Sequence, residues 1–216
     1  MLASPEQQQA LLDLFKEGSR LEYRKGELII RDGDSPGGVF YIESGLVKAY
    51  DITRYGEENL LIIRKSGEIF PIIWAITESK WHVMYESLSP TIVYRIDRKK
   101  YKREIIARTE LLAPLLDITL QMYRYQSQRI LNLEYRTARE RLVSFLLIMT
   151  ERFGKATQAG IVIEAPLRQQ DIASSINTSR ETASRELSAL EKKKLLSVEK
   201  MLITITDEAK LRSIIE

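Results

Sequence analysis

Residues 167–196 read Leu167-Arg-Gln-Gln-Asp-Ile-Ala-Ser-Ser-Ile-Asn177-Thr-Ser-Arg-Glu-Thr-Ala-Ser-Arg-Glu-Leu-Ser-Ala-Leu-Glu-Lys-Lys-Lys-Leu195-Leu196. The order implies a short helix, a tight turn and a second helix. A corner between two helices needs one residue in the left-handed backbone region, which Asn177 adopts at low cost. Directly after it, Thr178-Ser-Arg-Glu181 has capping-box spacing, with Thr178 placed to accept from the Glu181 amide and Glu181 to reach back. A new helix is therefore expected to begin near Ser179.

At about 100° per residue, Arg180, Glu181, Ser184, Arg185 and Ser188 fall inside an arc of roughly 140°, with Ala183, Leu187 and Leu190 on the other side. One face packs and the other is free to reach a ligand. An arginine matches the two acceptors on the major-groove edge of guanine, and a glutamate accepts from the cytosine amino group. Arg180, Glu181, Ser184 and Arg185 are thus candidate base readers, and Gln170, Ser179 and Thr182 are candidates to hold the phosphate backbone. A solvated helix face is the other reading of the same charges. The cap, the turn, the apolar spacing and the hydrophobic close at Leu195-Leu196 together favour DNA.

The chain has 216 residues, enough for two small domains, and a net charge of +3. That charge is too mild for a polybasic coat, so DNA affinity has to come from a local basic surface. With no cysteine and one histidine, disulfides, thiolate metal sites, cysteine-ligated iron–sulfur clusters and thiol redox sensing are excluded. No serine–base pair or acidic dyad stands out, so no catalytic residue, metal ligand or cofactor is assigned and no enzyme is expected. The segment from Met1 to Gly18 lacks a basic start with an apolar stretch, and no run approaches a membrane span; a cytoplasmic location without membrane association is the expectation.

From Arg24 to Asp97, short apolar runs alternate with turns bearing Gly26, Gly33, Gly45, Gly56 and Gly67. This spacing suits a β-roll of about eight strands. The Asp32–Gly38 stretch is a turn and not a phosphate loop, because no Gly-Lys-Ser/Thr closes it. Asp97–Arg108 reads as helical, and Pro114 suits the first turn of a long helix to about Leu133. Leu112, Leu115, Thr119, Met122, Gln126, Ile130 and Leu133 recur along it at spacings of three and four, the outline of a coiled-coil dimer seam; packing of that stripe on the roll is the alternative. Arg136–Phe153 forms another amphipathic helix with Leu142, Phe145, Leu146 and Met149 inward. A polar Gly154–Gly160 loop and Ile161-Val-Ile follow, and downstream Leu196–Lys200 and Met201–Ile205 form a two-stranded wing.

This order, β-roll, long helix and winged helix-turn-helix, resembles the CRP/FNR family of bacterial transcription regulators. The resemblance covers nearly the whole chain. It is most specific in Ser179-Arg180-Glu181-Thr182-Ala183-Ser184-Arg185-Glu186-Leu187 and next in Arg139-Glu140-Arg141-Leu142. It implies an α+β fold: an N-terminal β-roll (a cyclic-nucleotide-binding-like jelly roll) for effector sensing over residues 1–108, a dimerisation helix over 109–136 and a C-terminal winged helix-turn-helix DNA-binding domain over 137–216. It implies a homodimer on palindromic double-stranded DNA, contact with RNA polymerase, an activator role and a small-molecule effector. Arg180, Glu181 and Arg185 look like the readers of TGTGA-type half-sites, whereas Ser184 looks like members that read TTGAT. Leu167 stands at a first-helix cap position where the family often has threonine.

Cyclic-nucleotide-binding members carry Gly-Glu-Leu and then Arg-Ser-Ala near Gly67–Trp74. Here the arginine's slot falls at Trp81-His82-Val83, which argues against cyclic AMP. Phe70, Trp74, Trp81, His82 and Tyr85 of the roll, with Tyr123, Gln126 and Ser127 of the long helix, are candidates to line a pocket for another effector; plain core packing is the alternative. His82 lacks a second ligand for haem. A regulatory module that binds a small molecule and acts through protein contacts without DNA is the rival function.

Overall fold

A computed structural model describes residues 2–79 and 82–216. The chain divides into two compact units, one formed by Met1–Asp51 and Leu61–Tyr123, the other by Ile52–Leu60 and Arg124–Glu216. The fold is the expected α+β arrangement of roll, long helix and winged helix-turn-helix.

The first unit starts with α1 (Pro5–Lys16). Ser4 begins it in a capping box with Gln7, each satisfying the other's amide, and proline at the first position costs no hydrogen bond there. The helix buries Leu11, Leu14 and Phe15. Eight strands follow: β1 (Ser19–Tyr23), β2 (Leu28–Ile30), β3 (Val39–Ser44), β4 (Leu46–Ile52), β5 (Glu58–Lys65), β6 (Ile69–Phe70), β7 (Met84–Ser87) and β8 (Thr91–Ile96). They form two four-stranded sheets, ordered β1-β8-β3-β6 and β2-β7-β4-β5, with antiparallel register such as Phe40 opposite Arg95 and Ala49 opposite Tyr85. Gly45 turns the chain between β3 and β4 at φ 93°. A Cβ there would lie 2.5 Å from the Pro90 carbonyl oxygen, so only glycine fits.

Between β6 and β7 lies α2 (Ile72–Thr77), and after β8 comes α3 (Arg98–Ala107), whose Asp97 cap accepts from the Lys99 and Lys100 amides. Two apolar clusters hold this unit. One joins Leu11, Leu14, Phe15 and Tyr101 to Val39, Ile69 and Ile96; the other joins Phe40, Ile42, Val47, Phe70, Tyr85 and Val93.

The long helix α4 runs Leu112–Tyr135. The expected seam departs from its outline at Leu115, which packs with Ile118 against the first cluster. That leaves Leu112, Leu116, Leu120, Tyr123, Ile130, Leu131 and Leu133 exposed, with Thr119 and Gln126 exposed beside them and Met122 half-buried. The side of the helix that carries Leu115 is occupied by that cluster.

In the second unit, α5 (Ala138–Phe153) opens on a Thr137–Glu140 capping box and buries Leu142, Leu146 and Met149. The segment expected as a polar loop instead contributes β9 (Gly154–Thr157), paired with β10 (Gly160–Ile163). The helix-turn-helix is α6 (Gln169–Ser175) and α7 (Arg180–Lys192), and the wing is β11 (Leu196–Glu199) and β12 (Leu202–Ile205), followed by α8 (Glu208–Arg212). The four strands form one sheet, ordered β11-β12-β10-β9. Among the described residues, no helix is long and apolar enough to cross a membrane.

Candidate nucleic-acid interface

The corner between α6 and α7 is made as the residues require. Asn177 sits at φ 49°, and the Thr178 amide donates to the Ala173 carbonyl at 3.0 Å. The cap lies one residue later than expected: Ser179, not Thr178, is the N-cap, and its hydroxyl accepts from the Thr182 amide at 3.2 Å. Asn177 uses up the left-handed position, so the chain needs one more extended residue before α7 can begin. Ser179 therefore spends a lone pair inside the protein, while its hydroxyl remains on the exposed surface.

The two faces of α7 separate as the periodicity demands. Ala183, Leu187 and Leu190 are buried, whereas Arg180, Glu181 and Arg185 are exposed and Ser184 and Thr182 are half-buried beside them. Glu181's own amide, then the Ser179 hydroxyl, hold its carboxyl below the usual carboxylate range, so it is an acceptor at neutral pH. Arg185 comes only within 3.8 Å of Glu186. Glu186 is held more tightly by Arg139 of α5, at 2.7 Å. Gln170 is half-buried on the first turn of α6.

The start of α6 corrects the expected cap at Leu167. Leu167 is buried, and its amide donates to the Met201 carbonyl at 2.9 Å, tying the helix entry to the wing turn. Arg168 takes the cap position, and Asp171 reaches back to accept from its amide at 3.0 Å and its Nε at 2.9 Å. Arg168 also pairs with Glu58. These two carboxylates hold its guanidinium above its already high range. The start of β5 is tied to the same helix, with the Leu60 amide donating to Ser174 Oγ at 3.1 Å. Arg129 donates to both the Leu60 and Ser174 carbonyls, at 3.3 and 3.1 Å.

Arg141 has a role that its place in Arg139-Glu140-Arg141-Leu142 did not reveal. From α5 its Nε donates to the Ile176 carbonyl at 2.7 Å, its Nη1 to Arg136 at 2.8 Å and its Nη2 to Asn177 at 3.3 Å. One planar fork thus ties the end of α6 and the corner residue before α7 to the start of α5. The signal available in the sequence was only an arginine on an amphipathic helix.

The candidate effector residues on the roll do not form one group. Phe70 and Tyr85 are buried and stacked, their ring centroids 4.7 Å apart, with Phe40 stacked on the other side of Phe70 at 5.1 Å. Trp74 packs instead against the α1-side cluster, under the Arg98 guanidinium. His82 is exposed, with Nδ1 2.8 Å from Asp32, and so lines no interior. Trp81 lies outside the described residues. Tyr123 is exposed on the first unit's part of α4, whereas Gln126 and Ser127 belong to the second unit. The described residues contain no cluster of histidine, aspartate or glutamate suited to a metal ion.

Comparison with known proteins gives a consistent result. Residues 20–108 match the family described as a cyclic nucleotide-binding domain, and residues 140–214 match the one described as a Crp-like helix-turn-helix domain. A global nitrogen regulator of Synechococcus elongatus is 27% identical over 205 residues, covering 91% of this chain and 92% of that protein. The transcriptional activator FnrA of Stutzerimonas stutzeri is 27% identical over 92% of this chain and 80% of its own length. Among solved structures, a CooA mutant from Carboxydothermus hydrogenoformans superposes with a TM-score of 0.78 at 21% identity, over 94% of this chain and 90% of that one. FixK2 from Bradyrhizobium japonicum gives 0.75 at 22%, over 90% and 96%.

Proposed function

Since the chain belongs to the CRP/FNR family of DNA-binding transcription regulators, we propose that it acts as a homodimer that places one α7 in the major groove of each half of a palindromic site. Two half-sites one DNA turn apart match two reading helices related by a two-fold axis. The observation that carries this reading is the split of α7 into a buried Ala183–Leu187–Leu190 side and an exposed Arg180–Glu181–Arg185 side. Arg180 and Arg185 reach guanine edges, Glu181 and Ser184 contact neighbouring bases, and Gln170, Ser179 and Thr182 hold the backbone. The half-site is TGTGA-like or TTGAT-like according to which base Ser184 meets. The exposed Leu116, Leu120, Tyr123 and Ile130 of α4 supply the apolar surface of the dimer seam.

The input is a small molecule other than cyclic AMP, bound in the roll beside Phe70 and Tyr85, and it sets the fraction of dimers whose reading helices fit DNA. Regulation proceeds through contact with RNA polymerase. The test is fluorescence anisotropy on a palindrome selected from random DNA. Arg180→Ala and Arg185→Ala should each lose about 1–3 kcal/mol and relax preference at one base position per half-site. Unchanged binding by the double variant removes α7 as the reading helix.

A further inference from the structure

Arg139, the first charged residue of α5, has no part in the reading described above, yet it meets α7 at the edge of the same face. Its Nε donates to Glu186 Oε2 at 2.7 Å, which ties the first turn of α5 to the middle of α7. Glu186 stands four residues beyond Thr182 and seven beyond Ser179. At about 100° per residue, the three fall within an arc of roughly 60°. That arc lies between Arg185 and the buried side formed by Ala183, Leu187 and Leu190. It is the flank whose two hydroxyl residues are candidates to hold the phosphate backbone.

The pair is unevenly shielded. The Glu186 side chain is 14% exposed and the Arg139 side chain 44%. The second oxygen of Glu186, Oε1, lies 3.8 Å from Arg185 Nε, so one carboxylate stands between a base reader and Arg139. A carboxylate beside DNA is repelled by the phosphates unless cations offset it. Arg139 supplies that offset through its Nε and keeps the four N–H donors of its Nη nitrogens in a rigid fork. Among the described residues, no acceptor takes those donors. The oxygens of a phosphodiester match such a fork.

We propose that Arg139 is a further DNA contact, a clamp that takes one backbone phosphate on the Ser179–Thr182 flank of α7. Glu186 is its positioning residue, holding the Nε side so that the Nη side is presented. The clamp rests on α7 as the reading helix and adds a contact from a second helix. Backbone contacts fix register without carrying sequence, so Arg139 sets how α7 lies in the groove and leaves the choice of base to Arg180 and Arg185. An arginine that merely neutralised Glu186 would show the same distances, and substitution separates the two roles.

Fluorescence anisotropy of the full chain on the selected palindrome, repeated from about 50 to 200 mM salt, is the test. Arg139→Gln should weaken binding about tenfold at the low end, by a margin that narrows as salt rises. The log–log slope against salt should become shallower by about two, one phosphate in each half-site. Arg139→Lys should keep the slope. The double variant Arg139→Gln/Glu186→Gln has the wild-type net charge and no carboxylate left to neutralise. It should stay as weak as Arg139→Gln, whereas a merely neutralising arginine predicts recovery to wild type. Thermal unfolding establishes that each variant is folded. Should Arg139→Gln unfold alone, the double variant, in which two amides replace the ion pair, is compared directly with wild type. A wild-type slope without Arg139, or full recovery in the double variant, overturns the proposal. Arg185→Ala in the same series keeps this outcome apart from the reading helix: relaxed base preference there, with a wild-type slope in Arg139→Gln, removes the clamp alone, and no effect of either removes both.

Discussion

Replacing Arg141 with methionine should loosen the corner that aims α7 while leaving α5 helical. Methionine keeps the length and helix preference of the side chain and removes its donors. The Ile176 and Arg136 carbonyls lose charge-assisted bonds of 2.7 and 2.8 Å, and Asn177 loses a weaker one at 3.3 Å. A hydrogen bond to a charged group contributes about 1.5–3 kcal/mol. Arg141 is half-buried, so water recovers part of the two short ones, and the third adds little at its length. The expected loss is about 2–4 kcal/mol, which corresponds to a roughly thirtyfold to thousandfold rise in opening of the corner. Hydrogen exchange read by mass spectrometry reports this locally, because the Thr178 amide donates to the Ala173 carbonyl across the corner and exchanges when it opens. A peptide spanning 173–182 should exchange faster by that factor, and Arg141→Lys, which keeps the charge without the fork, should fall between. Exchange that changes less than about twofold in the methionine variant would refute the assignment of Arg141 as the clamp.

Other consequences are open to direct measurement. Leu190→Ala, at a fully buried position of α7, should destabilise the second unit by about 2–5 kcal/mol in urea titrations followed by circular dichroism. Asn177→Gly should leave stability unchanged or slightly raised, whereas Asn177→Val at φ 49° should lose about 1–2 kcal/mol, because a β-branched side chain resists the left-handed region. The Thr137 hydroxyl and then its amide hold the Glu140 carboxyl below its ordinary range. A depressed folded pKa gives stabilisation that is present above the unfolded value and is lost as pH falls through the folded one. Glu140→Gln should therefore lower the melting temperature at neutral pH, by a margin that shrinks below about pH 4. Leu120→Asp, on the exposed stripe of α4, should shift sedimentation toward a monomer and weaken binding to a full palindrome.

What the residues revealed beforehand follows from the range of the interactions involved. Asn177, the apolar spacing of Leu142, Leu146 and Met149 and the Ala183–Leu187–Leu190 spacing act within a few residues, so periodicity and turn chemistry place α5, the corner and α7. The Ser179 cap was missed by one residue because Thr178 and Ser179 offer the same hydroxyl, and only the backbone angle at Asn177 decides between them. Strand β9 was read as a loop because Gly154–Thr157 has no apolar alternation; pairing with β10 makes it a strand. Leu115 belonged to a helical stripe that suited a seam or a core, and it packs against the first cluster through residues distant in sequence. Trp74 and Phe70 lie four residues apart yet enter different clusters, a separation that follows from the sheets. Arg141 and Arg168 act on partners 35 and 110 positions away, and no local pattern encodes such a distance.

The assignment of residues 52–60 to the second unit has a consequence for synthesis. That segment leaves the ribosome before three of its partners in the unit: Arg129, Arg168 and Ser174 come much later, and the Leu60–Ser174 hydrogen bond spans 114 positions. The first unit's strands must pair around a hairpin whose tip is still waiting for its helix. Contacts of such separation carry a large loop-closure entropy and form slowly. Closure onto α6 therefore waits until residues 168–175 have been made, and a nascent chain stopped short of Arg129 has a hairpin tip without any of these three partners.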